Sequence, residues 1–300
     1  MDNRAEAREF LVSRRAKITP QQAGLPAGSG RRVPGLRRSE VAALADVSVE
    51  YYAKLERGAL AGASAGVLDA IARALRLDEA ERAHLFDLAR AADGTSALER
   101  PRRRAGSAWQ PRPSLQWVLD SVVDGPAFVR NGRMDILAAN RLARAFYDEV
   151  YADPQRPPNL ARFAFLDRAA HRFYPDWEQL ADVTVAILRT EAGRNPHDKD
   201  LQDLIGELST LSDHFRERWG AHNVRRHGSG AKNFRHHVVG ELTLAYEGLE
   251  LVAEPGLTLT LYAAEPGSPS AEALRLLASW AATQDVQDAQ DAEPSLRPAR

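Results

Sequence analysis

The 300-residue sequence predicts a fold of class α + (α+β): an all-helical N-terminal domain followed by a mixed domain with an antiparallel sheet. Three observations predict it. Apolar residues recur at helical spacing up to about residue 92, they alternate with a period of two between residues 241 and 263, and a Gly/Pro-rich basic stretch separates the two patterns. The length also suggests about two domains, since roughly 150 residues per domain is typical.

Composition excludes several classes of protein. With no cysteine, the chain cannot form disulfides, a thiolate nucleophile or a cysteine-ligated metal site. No apolar window is long enough for a membrane helix, and the N-terminus lacks the pattern of a signal peptide, so we expect a cytoplasmic protein without a membrane partner. The net charge of −1 is uneven, because residues 1–104 hold 19 Lys and Arg against 14 Asp and Glu. The basic part is therefore the helical one.

The N-terminal helices follow from apolar spacing and end signals. Residues 4–18 form an amphipathic pattern, and residues 36–58 form two short helices with a break at Asp46 and Val47. Ser48 is placed as an N-cap for the second of these helices, and Gly58 ends it.

The second short helix has an outer face for which there are two interpretations. Tyr52 and Leu55 are predicted to point inward, which leaves the opposite side exposed. The outward residues are Val49, Glu50, Ala53 and Lys54, with Tyr51 at the edge. A plain helical hairpin with a solvated face is one interpretation. The tight turn, the caps, the preceding Arg37 and Arg38 and the basic bias instead favour a helix-turn-helix whose outer face enters the DNA major groove.

The C-terminal half predicts hairpins and helices. Two short apolar segments flank Asn131-Gly132, a dipeptide typical of a two-residue hairpin turn, and a helix follows Asn140. Helical segments fill the middle, and alternating residues predict antiparallel strands with one buried face. These alternating residues are Leu242, Leu244 and Tyr246, and then Leu257, Leu259 and Leu261. "SAEALRLLASWAA" predicts a last helix, and the polar tail from residue 283 predicts disorder.

Catalytic and metal-binding motifs are absent from the sequence. Six histidines cluster between residues 197 and 237, but they show no H-E-x-x-H spacing and no helical i, i+4 pair. They are His197, His214, His222, His227, His236 and His237. "HGSGAKN" lacks the spacing of a phosphate-binding loop, and no G-x-S-x-G occurs. We therefore expect no catalytic residue, no metal, no cofactor and no enzymatic activity.

Two segments resemble known families. "GLRRSEVAALADVSVEYYAKLERG", followed by "VLDAIARALRLDEAERAHLFDLA", resembles the lambda-repressor-like, or XRE-type, helix-turn-helix. The remainder resembles the MmyB-like family of bacterial transcriptional regulators, in "PAFVRNGRMDILAANRLARA", "HGSGAKNFRHHVVGELTLAYEGL" and "YAAEPGSPSAEALRLLASW". The resemblance covers about residues 4–282. It implies a DNA-binding domain followed by a PAS-like domain that binds a small, largely apolar ligand.

The resemblance also assigns domains and DNA contacts. Together with the composition of the linker and the tail, it divides the chain into a DNA-binding domain (1–92), a basic linker (93–113), a PAS-like domain (114–282) and a disordered tail (283–300). The DNA-contacting residues would be Arg37, Arg38, Ser48, Val49, Glu50, Tyr51 and Lys54. Arg38 would touch phosphate, Lys54 would donate to guanine, and Glu50 would accept from cytosine. Asp46 stands where the family usually has glycine, and Asp tolerates the left-handed conformation better than most residues.

The aromatic content of the second domain, together with the resemblance, predicts a ligand pocket. Its proposed lining is Phe128, Ile136, Phe146, Phe215 and Tyr246, with Asn140, Arg235 and His236 as polar anchors, although Asn140 could instead cap the next helix. The ligand would be fatty-acyl-like or polyketide-like, and the protein would bind a double-stranded operator as a homodimer. The alternatives are a constitutive repressor whose second domain only dimerises, and a small-molecule-binding enzyme.

Overall fold

A computed structural model gives the architecture of the chain. It describes residues 3–26, 35–94, 109–154, 156–221 and 229–292, with side chains up to residue 284. The chain divides into two compact units, one from residues 1–105 and 181–227 and the other from residues 106–180 and 228–300. The basic run of the predicted linker, residues 101–104, and residues 293–300 of the predicted tail lie outside the described ranges.

The helices and strands follow one another as expected for a helical region and a mixed α+β region. The helices are α1 (Asn3–Lys17), α2 (Arg38–Leu44), α3 (Val49–Glu56), α4 (Ala65–Ala74), α5 (Glu79–Ala92), α6 (Pro113–Ser121), α7 (Arg141–Phe146), α8 (Leu160–Leu166), α9 (Ala169–Phe173), α10 (Trp177–Arg194), α11 (Lys199–Leu211), α12 (Asp213–Gly220) and α13 (Pro269–Ala292). The strands are β1 (Ala127–Asn131), β2 (Ile136–Ala139), β3 (Ser229–His236), β4 (Gly240–Glu250) and β5 (Leu257–Ala263).

The first unit is built around one apolar core. Phe10 and Leu11 of α1, Val41 of α2 and Tyr52 and Leu55 of α3 are buried together, as their spacing predicts. Residues of α4 and α5 complete this core, among them Leu68, Ile71, Leu85 and Leu88. The predicted helical N-terminal region is thus confirmed.

A buried charged cluster joins residues 181–227 to the N-terminal helices. Arg189 of α10 has a fully buried side chain that donates to the Glu6 carboxylate of α1 and to the Trp219 carbonyl oxygen. Its guanidinium carbon lies 4.2 Å from the centroid of the Trp219 ring. Arg194 Nε also donates to Asp87 Oδ2 of α5 at 2.9 Å. These contacts explain why a segment that the sequence assigns to the C-terminal domain packs with the N-terminal helices.

The second unit contains the predicted antiparallel sheet, with five strands in the order β2-β1-β5-β4-β3. Every neighbouring pair in this sheet is antiparallel. The register places Phe128 opposite Thr260 and Tyr246 opposite Tyr262. The mixed α+β fold with an antiparallel sheet is therefore confirmed.

The sheet has two faces that contact different groups. On one face, Ala127 and Val129 of β1 and Leu259 of β5 pack with Leu115 and Leu119 of α6. Phe128 points to the other face, because successive residues of a strand alternate. That second face carries a group of aromatic side chains, described below.

Helix α6 and strand β3 are not predicted by the sequence. Pro113 begins α6 at a point where the predicted linker ends, and proline at the first helical position fits the helix conformation. Strand β3 occupies "SGAKNFRH", part of which was interpreted as a flexible turn. It forms because it pairs along its whole length with β4, from which it is separated by only three residues.

Two further predictions need correction. The β1–β2 hairpin exists, but its turn is longer than the two residues predicted at Asn131-Gly132. The Asn131 side chain bonds the side chain and backbone of Asp135, and Met134 takes the left-handed conformation with φ of 67°. The tail is helical rather than disordered over residues 283–292, because α13 continues to Ala292 through a segment without glycine or proline.

None of the described helices combines the length and the apolar character needed to cross a membrane.

Two glycines lie in the connection between α3 and α4, and only Gly58 lies against the backbone of α1. Gly58 (φ 87°) and Gly62 (φ 74°) are both left-handed, but a Cβ on Gly58 would lie 2.1 Å from the Arg4 carbonyl oxygen, whereas one on Gly62 meets nothing within 4 Å. We expect Gly62→Ala to cost about 1–2 kcal/mol, the left-handed penalty alone. Gly58→Ala should cost clearly more, because α1 and α3 must separate. Urea unfolding monitored by circular dichroism measures both, and equal losses would contradict the close approach.

Candidate functional site

The turn between α2 and α3 is fixed by local hydrogen bonds. Asp46 has φ of 53°, the left-handed conformation expected at this position. The Val47 amide donates to the Ala42 carbonyl oxygen at 3.0 Å. Ser48 Oγ accepts from the Tyr51 amide at 3.0 Å and so caps α3. The two short helices are therefore held at a defined angle by the backbone of the turn itself.

A buried carboxylate holds three helices together beneath this turn. Glu56 of α3 is 1% exposed and accepts from Arg15 Nε of α1 at 2.5 Å, from Arg38 Nε of α2, and from the Tyr52 hydroxyl at 3.3 Å. Burial alone would raise the pKa of the Glu56 carboxyl, but the hydrogen bonds and charges of Arg15 and Arg38 outweigh it and lower the pKa. Glu56 therefore stays ionised and orients α3 against α1 and α2.

The outer face of α3 is exposed as predicted. Val49 is 40% exposed, and Glu50 and Lys54 are also exposed, while Tyr52 and Leu55 are buried. Tyr51 is half-buried and packs against the core edge. Within the described residues, neither Glu50 nor Lys54 has an ion-pair partner. Both charged groups are thus available to a ligand.

The predicted phosphate-contacting residues lie at the start of α2. Arg37 is exposed and occupies the N-cap position, where its amide donates to Glu40 Oε2 at 2.7 Å. The Arg38 side chain is 54% exposed although its Nε is paired with Glu56, and this hydrogen bond raises the pKa of Arg38. Arg38 therefore has a structural contact in addition to the phosphate contact expected of it.

In the second unit, an aromatic cluster covers the inner face of the sheet. We define it as the mutually contacting rings of Phe128, Phe146, Tyr147, Phe173, Tyr174, Phe234, His236 and Tyr262. Phe146 is central, with ring centroids 4.9 Å from both Tyr147 and Phe234. Tyr246 lies beside the cluster, its ring centroid 6.3 Å from that of Tyr262.

Tyrosine hydroxyls supply polar groups within this apolar cluster. The hydroxyls of Tyr147 and Tyr262 are hydrogen-bonded at 3.1 Å. Burial raises the pKa of Tyr262 to about 12 and raises the pKa values of Tyr147 and Tyr174 above their usual range. These phenols therefore remain neutral and act as hydrogen-bonding groups, not as acids.

One lysine borders the aromatic cluster. Lys232 of β3 shares its side of the strand with Phe234 and His236, and its Nζ lies 4.7 Å from the Tyr246 ring centroid and 5.9 Å from that of Tyr262. Burial, and secondarily the charge of Arg130, lower the pKa of Lys232 to about 7.

Asn140 is a structural residue. Its Oδ1 accepts from the amides of Ala143 and Ala127 at 2.8 and 3.1 Å, and its Nδ2 donates to the carbonyl oxygens of Val122 and Gly125. All of its amide hydrogen-bonding capacity is used by the backbone. The capping interpretation of Asn140 is therefore the one that its contacts support.

The structure separates other residues predicted to line one pocket. Phe128, Phe146 and His236 belong to the aromatic cluster and Tyr246 borders it, and Ile136 is buried on β2. Phe215 lies in the first unit, where its ring stacks on that of Trp219. Arg235 points to the outer side of β3, with its side chain 55% exposed and paired with Glu241 at 3.0 Å. Alternation along β3 thus favours Lys232, not Arg235, as the cation near the cluster.

His236, His237 and Asp148 form the group most similar to a metal site in the described chain, with ligand atoms within 4.8 Å of one another. His236 Nδ1 accepts from the Val238 amide at 3.2 Å, so its proton lies on Nε2, which donates to the Ala145 carbonyl oxygen at 3.2 Å. A metal would need the Nε2 lone pair, so the hydrogen bonds disfavour a metal here. His222 and His227 lie outside the described residues.

Sequence reasoning missed several residues of these sites. Glu56 and its partner Arg15 are 41 positions apart, and nothing local pairs them. Lys232 could have been found, because residues 230, 232, 234 and 236 must share one side if the segment is a strand. The glycines of "HGSGAKN" favour a turn, and in a turn these residues need not lie on one side.

Comparisons with known proteins identify both regions. Residues 111–277 match the family described as the MmyB-like transcription regulator ligand binding domain. Residues 7–85 match the family described as a helix-turn-helix domain. A search of curated proteins found no match.

The Glu56 carboxylate predicts acid sensitivity of the first unit. Because its folded-state pKa is lowered, its stabilising effect is present above about pH 4.3, the usual pKa of Glu, and is lost as the pH falls through the folded-state value. We expect Glu56→Gln to lose about 1.5–3 kcal/mol at pH 7, and this deficit should shrink below pH 4. Urea unfolding between pH 3 and 7 measures the difference. Glu50→Gln, on the exposed face, is the control, and a pH-independent deficit for Glu56→Gln would contradict this account.

Proposed function

The chain belongs to the MmyB-like transcription regulator family, and we propose that it binds a specific DNA operator through α3 and senses a small, largely apolar ligand through its C-terminal region. The observation that carries the DNA part is the outer face of α3, where Val49, Glu50 and Lys54 are exposed above a helix fixed by Ser48 and Glu56. A helix of this kind fits the width of the B-DNA major groove.

Each exposed residue has a contact suited to its chemistry. Lys54 can donate to guanine O6 or N7, Glu50 can accept from cytosine N4, and Val49 can pack against a thymine methyl group. Tyr51, Arg37 and Arg38 would lie beside the phosphate backbone. Because one recognition helix reads only a few base pairs, we infer a homodimer that reads two half-sites about 10 bp apart.

The aromatic cluster supports the ligand-sensing part of the proposal. Ligand sites are mostly apolar with a few polar groups, and this cluster combines phenyl rings with neutral tyrosine hydroxyls. A fatty-acyl-like or polyketide-like ligand has matching chemistry. A constitutive repressor with a C-terminal region that only dimerises is the second candidate, and it would not respond to any such ligand.

The base contacts can be tested by changing single residues. On an operator selected from random duplexes, we expect Lys54→Ala and Glu50→Ala each to relax preference at one or two positions, a loss of about 1–3 kcal/mol of discrimination per contact. Arg37→Ala should weaken all sequences alike and reduce the salt dependence of binding by about one unit. Arg73→Ala, an exposed cation on α4, is the control. Uniform effects of all these variants on every sequence would refute the readout.

Ligand sensing can be tested on the purified protein. Native mass spectrometry and solvent extraction should reveal a bound apolar compound, and returning it to the stripped protein should change operator affinity about 5- to 150-fold, the usual range of allosteric coupling. Phe128→Trp, which fills the inner face of β1, should reduce this response, whereas Val129→Leu on its opposite face should not. Absence of any bound compound, together with an intact response in Phe128→Trp, would favour the constitutive repressor.

A further inference from the structure

Lys232 occupies an unusual position for a lysine. It shares the inner side of β3 with the buried Phe234 and His236, and the strand register places it diagonally opposite Tyr246. The side chain is half-buried, and its amine lies over the rings of Tyr246 and Tyr262. Among the described residues, no carboxylate lies within ion-pair distance of Lys232 Nζ. The amine is therefore accessible but has no counter-charge.

The residue type at this position matters, because only four of the 40 Lys and Arg residues in the chain are lysines. The other three, Lys17, Lys54 and Lys199, are exposed. An arginine keeps its charge in a protein, whereas a lysine loses its proton readily when it is removed from water without a counter-charge. Burial lowers the pKa of Lys232 to about 7. A large share of this amine is therefore neutral, and hence nucleophilic, near neutral pH.

The tyrosines beside Lys232 supply hydrogen-bond donors. The Tyr147 hydroxyl donates to that of Tyr262, so the proton of Tyr262 is not used in this bond and can be donated to a ligand oxygen. Burial raises the pKa of Tyr246 and raises that of Tyr262 to about 12, so both phenols keep their protons at neutral pH. An amine, neutral donors and apolar rings are together suited to bind and activate the carbonyl group of an apolar molecule.

We propose that Lys232 forms a reversible imine with an aldehyde or ketone group of the ligand whose apolar body contacts the aromatic cluster. The lone pair of the Lys232 nitrogen attacks the carbonyl carbon, and the carbonyl oxygen takes one proton from nitrogen. This oxygen then leaves as water with the second nitrogen proton, and a C=N bond remains. Nothing is oxidised or reduced, so no further reactant is needed. This assignment rests on the proposed ligand-sensing function and specifies the reactive group of the ligand.

Reductive trapping identifies the lysine that reacts. The full-length protein is incubated at pH 7.5 with dodecanal and cyanoborohydride, which reduces an imine to a stable secondary amine, and peptide mass spectrometry quantifies the adduct at each lysine. An ordinary lysine, with a pKa of about 10.4, is almost fully protonated at this pH, although a less basic amine is also a weaker nucleophile. From the balance of these two effects, we expect Lys232 to react about 10- to 100-fold faster than the exposed Lys54 and Lys199.

Matched variants separate the imine from noncovalent binding. Lys232→Arg keeps a positive charge and Lys232→Met removes it, and neither should form an adduct at position 232, although both should bind dodecanol like the unmodified protein in calorimetric titration. Arg235→Lys places an amine on the outer side of the same strand, and this amine should react only as fast as Lys54. Thermal unfolding identifies a variant that is not folded, and the folded member of the Lys232 pair then decides. Without the reductant, hydroxylamine, which captures aldehydes, should release the dodecanal.

Two results overturn the imine. The first is a reaction at Lys232 that is no faster than at Lys54 and Lys199, and the second is an equally fast reaction at position 235 in Arg235→Lys. In either case ligand sensing survives if an extracted compound still alters operator binding. If Lys232 reacts selectively but neither dodecanal nor any extracted compound alters operator binding, the imine stands and the sensing function fails.

Discussion

The ion pair between Glu6 and Arg189 is the constraint on which the first unit depends. Both groups are buried, and removal of one partner from such a pair typically costs 3–5 kcal/mol because the other charge is left without compensation. The pair fixes α10 against one end of α1, while Arg15 at the other end of α1 binds Glu56 of α3. Helix α1 is therefore held by one ion pair to α10, in the region matched by the ligand-binding family, and by another to the helix proposed to read DNA.

Local sequence signals predicted much of the helical region and part of the candidate DNA site. Apolar spacing located α1 and the α2–α3 pair, and Ser48 and Asp46 take the cap and the left-handed position expected of them, because these features depend on residues within one turn. The alternating leucines of β4 and β5 likewise predicted two strands of the sheet. Exposure of Val49, Glu50 and Lys54 followed from the same periodicity.

The remaining features depend on contacts between distant parts of the chain. The grouping of residues 181–227 with the N-terminal helices is specified by partners of Arg189 and Arg194 more than 100 positions away. Strand β3, in contrast, is specified by pairing with the neighbouring strand β4. Phe215 was placed in the pocket on aromatic character alone, although it stacks on Trp219 in the other unit. Arg235 was predicted to face the pocket, but it lies on the outer side of β3, since a shift of one residue along a strand reverses the face.

The outer strands of the sheet bear on how the protein behaves at high concentration. An unpaired strand edge can recruit another chain, and proteins limit this with short edge strands, bulges and charged side chains. Strand β2 has only four residues and its pairing with β1 is interrupted by a bulge, while β3 carries the charged side chains of Lys232 and Arg235. The outer side of β2 is in addition occupied in part, because the Ile136 amide donates to the Pro158 carbonyl oxygen. Both edges therefore have features that disfavour the addition of a strand from a second molecule.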